Sequence, residues 1–397
     1  MFQKLIKRAR NSDTNIQLLI PLLLSTMLVQ VVTVVVRVTT SYRVVELGLS
    51  TVWLGIIAAA FALLPIFVAV RVGRYIDRGH DAHTVWIGSA ILTACSGAFV
   101  LWSSAEALMI VTALMGIGHL MLMASHQMLC VRASGPHTME SVFGNYMVAG
   151  AVGQAIGPYV VGWAGGSATM PPTQYLFGVG FVMSIVALLV ALAMRPGPER
   201  EHSEAQSELV PIGKLLRMPG LLAVVVAGVI LVSGSDVVLI YVPLLGSERN
   251  IDVADIGLLL TVRAAASMVA RLFYARMVEI TGRWPLMIAS TFTCACTFAA
   301  LAAPLPLYWM HVVMALMGAS FGLAATLSIT IVVDMTTAGA RATGNSLRIM
   351  SNRIGQFALP FGAGIVAAAT GLAGLFLMLG GAMAVAGMAL HWKKPAS

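Results

Sequence analysis

The feature that most limits what this chain can become is its recurring long run without a charged residue, the first of which is Leu18 to Val36. As a helix rising about 1.5 Å per residue, a run of that length crosses about 30 Å of hydrocarbon. Inside lipid the backbone must satisfy its own hydrogen bonds, which a helix does within one segment. The first run continues to about Val44, and others follow near 52 to 71, 85 to 102, 107 to 131, 143 to 164, 175 to 194, 219 to 243, 255 to 276, 285 to 303, 308 to 333, 345 to 369 and 373 to 391. The expectation is an all-α membrane protein with twelve transmembrane helices and a tight turn at Gly371 between the last two. Composition agrees: 59% of the 397 residues are hydrophobic and 10% charged, against roughly a quarter charged in a soluble domain.

Basic residues collect on one side of this map. Lys4, Lys7, Arg8 and Arg10, then Arg74, Arg78, Arg132, Arg195, Arg200, Lys214, Arg217, Arg276, Arg283, Arg341, Lys393 and Lys394 share it, whereas the other side has little beyond Arg43 and Arg249. Both termini are therefore expected in the cytoplasm, with the chain multi-pass in the inner cell membrane. The seven tryptophans all fall at the ends of runs, as an interfacial belt requires. A formal charge of +8 without a basic patch interleaved with aromatics argues against nucleic acid as a partner. Cys95, Cys130, Cys294 and Cys296 lie inside apolar runs without metal-ligand spacing, so no metal and no cofactor are expected. The run after the basic N-terminal stretch is too long for a signal-peptide core and reads as a retained first span.

One unit is written twice. The run Gly144 to Gly162 carries glycines at 144, 150, 153, 157 and 162 and a proline at 158, a composition that lets another helix approach closely. Gly153, Gln154, Pro158 and Gly162 return as Gly355, Gln356, Pro360 and Gly364, an offset of 355 − 153 = 202. Ala113 to Gly116 return as Ala315 to Gly318, Gly55 as Gly257, and Asp77 as Glu279 at the same offset. The polar stretch Pro196 to Met218 separates the copies, which gives a six-helix half at 1–195, a cytoplasmic linker at 196–218 and a second half at 219–397. Two like-oriented halves suggest a transporter with its site between them near the midplane.

These features resemble the major facilitator superfamily over essentially the whole chain. The loop GRYIDRGHD matches that family's G-x-x-x-D-R-x-G-R loop at Gly73, Asp77 and Arg78, with His80 and Asp81 in place of glycine and arginine. The second half, ARMVEITGR, keeps Gly282 and Arg283 but has Ala275 and Glu279 where the pattern has glycine and aspartate. Gly144, Gly153, Gly157, Pro158 and Gly162 are similar to the fifth-helix motif of proton-coupled export members, with close helix packing alone as the other reading. The arginine usual in the fourth span of drug and proton antiporters is Thr112 here. The resemblance implies a gate in which Asp77 meets the start of span eleven, near Thr343 to Asn345, while Glu279 meets the start of span five.

Polar residues kept inside lipid mark the remaining candidates, because a charge at the bilayer centre costs at least about 2.5 kcal/mol. Gln30, Thr33, Arg37 and Thr40 share one face of span one, so Arg37 either lines a cavity with that face or snorkels outward. Asp236 lies about 7 residues, or about 11 Å, from the outer end of span seven, at nearly the depth of Arg263 in span eight and of Arg37. It is expected to pair with one of them, either as an exchangeable proton site or as a fixed structural pair. Arg353, with Asn352 and Gln356 beside it, falls near the midplane, while Arg348 and Arg271 lie nearer the cytoplasmic ends. His119 and His126 on span four are either proton groups or hydrogen-bonded packing residues. The candidate substrate or proton site is thus Gln30, Arg37, His119, Gln154, Asp236, Arg263, Arg353 and Gln356.

No nucleophile-base or metal constellation and no GxxxxGK[ST] loop occurs, so neither an enzyme nor an ATP-driven pump is expected. The expected activity is secondary transport by alternating access, with proton-coupled efflux of a small organic compound as the leading reading. Uptake of an organic anion by proton symport is the alternative, favoured by the arginines. The partners are the substrate, protons and the bilayer, and the protein is expected to act as a monomer.

Overall fold

The computed structural model describes residues 14–102, 104–135, 138–195, 218, 220–336 and 341–392. Every apolar run is helical: α1 (Ile16–Glu46), α2 (Thr51–Asp77), α3 (Asp81–Leu101), α4 (Ala105–Ala133), α5 (Met139–Gly165), α6 (Thr173–Leu192), α7 (Leu221–Glu248), α8 (Val253–Leu272), α9 (Arg283–Ala302) and α10 (Leu307–Met335). The last stretch, Arg341–Trp392, breaks at Gly371, where φ is 72° and ψ is 177°, a conformation that suits a residue without a side chain. Its limbs, 341–370 and 372–392, are α11 and α12. The described residues thus form an all-helical bundle of twelve crossings. The linker expected at 196–218, apart from Met218, and the basic residues at both termini lie outside the described residues.

Helix ends follow local caps more closely than the edges of the apolar runs. Asn15 caps α1 by accepting from the Leu18 amide at 3.2 Å, and its own amide donates to the Ala133 carbonyl at 2.9 Å, tying the start of α1 to the end of α4. Helix α3 begins at Asp81 instead of near 85, and α8 stops at Leu272 instead of 276. A separate short helix, Tyr274–Thr281, follows α8 and buries none of its residues, as suits a segment lying along the bundle's end. Gly282, at φ 80°, turns the chain from it into α9.

Helices α1 to α6 pack among themselves, as do α7 to α12, and the halves meet through α2 with α11, α5 with α8, and α1 with α7. The first two crossings are built on glycine. A Cβ on Gly55 would lie 2.7 Å from the Pro360 carbonyl oxygen and 2.9 Å from Gly364 Cα. At the other crossing a Cβ on Gly257 would lie 2.6 Å from both the Pro158 carbonyl oxygen and Gly162 Cα. Each residue of one crossing corresponds to one of the other at the 202-residue offset, so the repeat in sequence is a two-fold relation in space.

Both crossings lie toward the end of the bundle opposite Asn15. Thr51 Oγ1 donates to the Gly364 carbonyl at 3.2 Å, and the Val253 and Ala254 amides donate to the Ala168 and Gly166 carbonyls at 2.9 and 3.0 Å. Deeper in the bundle, Thr261 Oγ1 reaches the Ala155 carbonyl at 3.1 Å. That end is therefore closed by direct backbone contact between the halves.

Candidate functional site

The centre of the bundle holds a charged cluster drawn from both halves. Arg37 of α1 donates from Nη1 to Asp236 Oδ1 of α7 at 2.8 Å, with side-chain exposures of 12% and 18%. The pair is thus largely shielded, and Arg37 crosses to the other half instead of snorkelling outward. Its guanidinium carbon lies 4.8 Å from the ring centre of Phe61 in α2, within cation–π range. Phe61 in turn contacts the His119 ring of α4 at 5.3 Å between centres.

On its other side Asp236 is tied to α11. Gln356 Nε2 donates to Asp236 Oδ2 at 3.1 Å, and Arg353 Nη1 donates to Gln356 Oε1 at 3.2 Å, so Gln356 links the second arginine to the carboxylate. Arg263 of α8 does not take the carboxylate that its depth offered. It donates from Nη1 to Ser235 Oγ at 2.7 Å, one residue away, and its Nε is buried without a partner. Arg353 is thus joined to Asp236 through Gln356, Arg263 to the residue beside it, and His119 to Arg37 through the Phe61 ring. One carboxylate is therefore bound directly by Arg37 and through Gln356 by Arg353, with Arg263 on the neighbouring Ser235.

A small pocket opens against Arg37 toward the closed end, lined by Thr40, Ser41, Leu54, Thr112 and Ile240 among others. Thr112, which occupies the antiporter arginine's position, has a buried hydroxyl without a partner. The polar face read on α1 is less polar than its sequence: Thr33 and Thr40 donate to the carbonyls of Val29 and Val36 in their own helix. Gln30 Nε2 donates to Met123 Sδ at 3.4 Å, and Gln154 is exposed on α5.

His126 is a packing residue. The Thr26 hydroxyl donates its one hydrogen to the Leu22 carbonyl at 2.8 Å, so at 3.2 Å from His126 Nδ1 it accepts, and His126 carries its proton there. Nε2 is then free to accept from Ser25 Oγ at 3.1 Å. Both ring nitrogens are therefore satisfied within the bundle.

At the bundle end that holds the start of α1, Asp77 and Arg78 are exposed at the end of α2, Gly73 has open space around it, and Glu279 is exposed on the short helix. The side chains of Thr343 to Asn345 lie outside the described residues. Sequence reading passed over the ion pairs at this end. Asp81, 2% exposed, receives Arg132 Nη1 at 2.6 Å, and Arg132 Nη2 also donates to the Arg195 carbonyl at 2.5 Å. Arg283 pairs with Asp334 in the other half. Asp81 corresponds to Arg283 and Arg132 to Asp334 at the 202-residue offset, so the same bridge occurs in each half with its charges exchanged. The offset also relates Phe61 to Arg263 and would have marked both positions; a Cβ on Gly116 or Gly318 would lie 2.0 Å from the carbonyl oxygen of Phe61 or Arg263, respectively.

The fold is that of known membrane transporters. The nucleoside transporter NupG superposes with a TM-score of 0.81 at 14% identity, over 96% of this chain and all of the other. The D-xylose-proton symporter gives 0.76 at 14% identity, over 94% of this chain and 96% of that one. A bacterial homolog of the human lysosomal transporter Spinster, in an inward-facing and unoccupied conformation, gives 0.71 at 14% identity, over 95% and 94%. No curated protein matches the chain in sequence. The family model described as the Major Facilitator Superfamily matches residues 22–249 and again 224–397. Two halves repeated at one offset, closed on each other at one end, joined at the centre by an ion pair and matched twice by that model, make this chain a transporter of the major facilitator superfamily.

Proposed function

We propose that the chain couples proton movement to the transport of a small organic compound by alternating access, with Asp236 as the proton-carrying group. The observation that carries this reading is the Arg37–Asp236 pair, which joins the two halves near the middle of their helices. A proton on Asp236 removes the charge that holds Arg37, so protonation both loosens the contact between α1 and α7 and loads the proton. With that pair loosened, the two halves can rock about the site between them. Likeness to a proton symporter fold is consistent with this coupling, at an identity that speaks to the fold alone.

Direction has two readings. The Gly-Pro run resembles that of export members, which supports efflux in exchange for protons. The three arginines gathered with one carboxylate in this cluster support the second reading, uptake of an organic anion together with a proton. Both place the termini in the cytoplasm of a cell whose inner membrane holds the protein as a monomer. The gate that the loop resemblance implies lies at the end that holds Asp77, where Asp77 and Glu279 are expected to engage the helix starts of the other half when that end closes. Asp77→Asn should then cut transport several-fold without reducing membrane insertion.

The test is transport in proteoliposomes under imposed pH gradients of either sign, with organic acids and cationic drugs as substrates. Accumulation driven by a proton gradient supports coupling, and its sign separates export from uptake. Movement that ignores the pH gradient for every substrate that the protein carries would remove the proton reading.

A further inference from the structure

We infer that the transported compound is an organic carboxylate, held by Arg263 and Arg353, and that its binding releases Asp236 to take up a proton, so that anion and proton travel together. This rests on the coupling reading above and gives its site a substrate class.

Charge and donor counting lead to it. A guanidinium presents five N–H donors and has no means of becoming neutral at ordinary pH. Arg263 spends one nitrogen on the neutral Ser235 hydroxyl while its Nε is buried without a partner, and Arg353 donates to the neutral amide oxygen of Gln356. Neither touches a carboxylate: Arg353 reaches Asp236 only through Gln356, Arg263 holds the hydroxyl of the residue before Asp236, and the two Asp236 oxygens are already taken by Arg37 and Gln356. The cluster thus carries a surplus of two positive charges inside the membrane span, where an unpaired charge is costly. A bound anion is the ligand that lowers this cost, and a planar carboxylate matches the guanidinium fork.

The hydrogen-bond chain connects such a ligand to the proton site. Gln356 receives from Arg353 and donates to Asp236, so a carboxylate that takes over Arg353 frees the Gln356 oxygen and loosens its hold on Asp236. A second negative charge beside Asp236 also favours its protonated form. The groups around Asp236 are Arg37 on α1 and Gln356 on α11, which bond it, Arg353 on α11 behind Gln356, Arg263 on α8 at Ser235, and His119 on α4 against the Phe61 ring that carries Arg37. None of them supplies a second carboxylate. The steps balance: the carboxylate replaces Asp236 as counter-charge to the arginines, and the proton taken by Asp236 offsets the negative charge brought by the substrate.

Binding can be measured without transport. The purified full-length protein in detergent would be titrated with benzoate, hexanoate and lactate, each beside the neutral amide of the same skeleton, and its thermal unfolding followed. At least one carboxylate should raise the unfolding temperature saturably while its amide does not. Arg263→Gln and Arg353→Gln should each weaken that binding at least tenfold, and Arg353→Lys, which keeps the charge and loses the fork, should weaken it less. The bound carboxylate should also draw about one proton from a lightly buffered solution, an uptake that Asp236→Asn should abolish. Carboxylates no better than their amides, or carboxylate binding unaltered in the glutamine variants, would overturn the inference. Such a result leaves pH-driven transport of another compound standing, whereas carboxylate binding without any pH-driven movement would remove only the coupling.

Discussion

Asp81 and Asp334 hold corresponding bridges in the two halves but differ in how far solvent screens them. The Asp81 and Arg132 side chains are 3% and 18% exposed, while Arg283 and Asp334 are 42% and 50% exposed. Losing one partner of a shielded pair strands the other's charge, so Asp81→Asn is expected to cost about 3 kcal/mol, read as a lower unfolding temperature of the purified protein. Asp334→Asn, at the screened counterpart, should cost less than about 1 kcal/mol. Equal losses in the two variants would mean that burial does not decide the contribution. At this scale the sequence showed which residues were too costly to leave unpaired: Asp236, Arg37, Arg263 and Arg353 were all found by counting depth along spans. It did not show how they pair. Depth offered Asp236 both Arg37 and Arg263, and the choice rests on helix rotation and on Ser235, which gives Arg263 another acceptor. Phe61 was illegible for a different reason, being one apolar residue within an apolar span, with its role set by the guanidinium above it.

Among the elements, α5 shows how one glycine motif serves two contacts. A Cβ on Gly153 would lie 2.3 Å from the Met27 carbonyl oxygen of α1, and its repeat partner Gly355 would meet Val229 Cγ1 of α7 at 2.3 Å. Even alanine therefore meets backbone at Gly153, and leucine is excluded. Gly162 instead faces Gly257 across the halves, while Gly144 has open space around it. Gly153→Ala is expected to destabilise by about 1–3 kcal/mol, and Gly144→Ala to be neutral in unfolding temperature and in transport. If Gly153→Ala matched the wild type in both, the close contact with α1 would not matter. The runs and their number could be read from apolarity because a crossing needs a fixed length. Helix ends could not, since caps such as Asn15 and the break at Gly371 decide them.

For the whole molecule, the repeat is the reason that both halves could be recognised before any coordinates were known: an offset of 202 residues relates the motifs and equally the two glycine crossings that close one end. A leucine at Gly55 or Gly257 has no room at its crossing, so Gly55→Leu and Gly257→Leu should hold that end open. A cysteine placed at Thr51 should then react faster with a membrane-impermeant thiol reagent, and net transport should fall; an unchanged labelling rate would show that the crossing is not the closure. The account depends most on the pair that joins the halves, where a coupling role and a structural role make opposite forecasts for one variant. Asp236→Asn removes the proton-carrying group and keeps a hydrogen-bonding side chain, so it should insert and exchange substrate down its own gradient while losing accumulation driven by pH. A fixed structural pair would instead leave Arg37 stranded, lower the folded yield, and recover in Asp236→Asn combined with Arg37→Gln. The deciding measurement is pH-driven accumulation by Asp236→Asn in proteoliposomes of matched protein content: the account predicts none, with exchange retained, and accumulation at the wild-type level would contradict it.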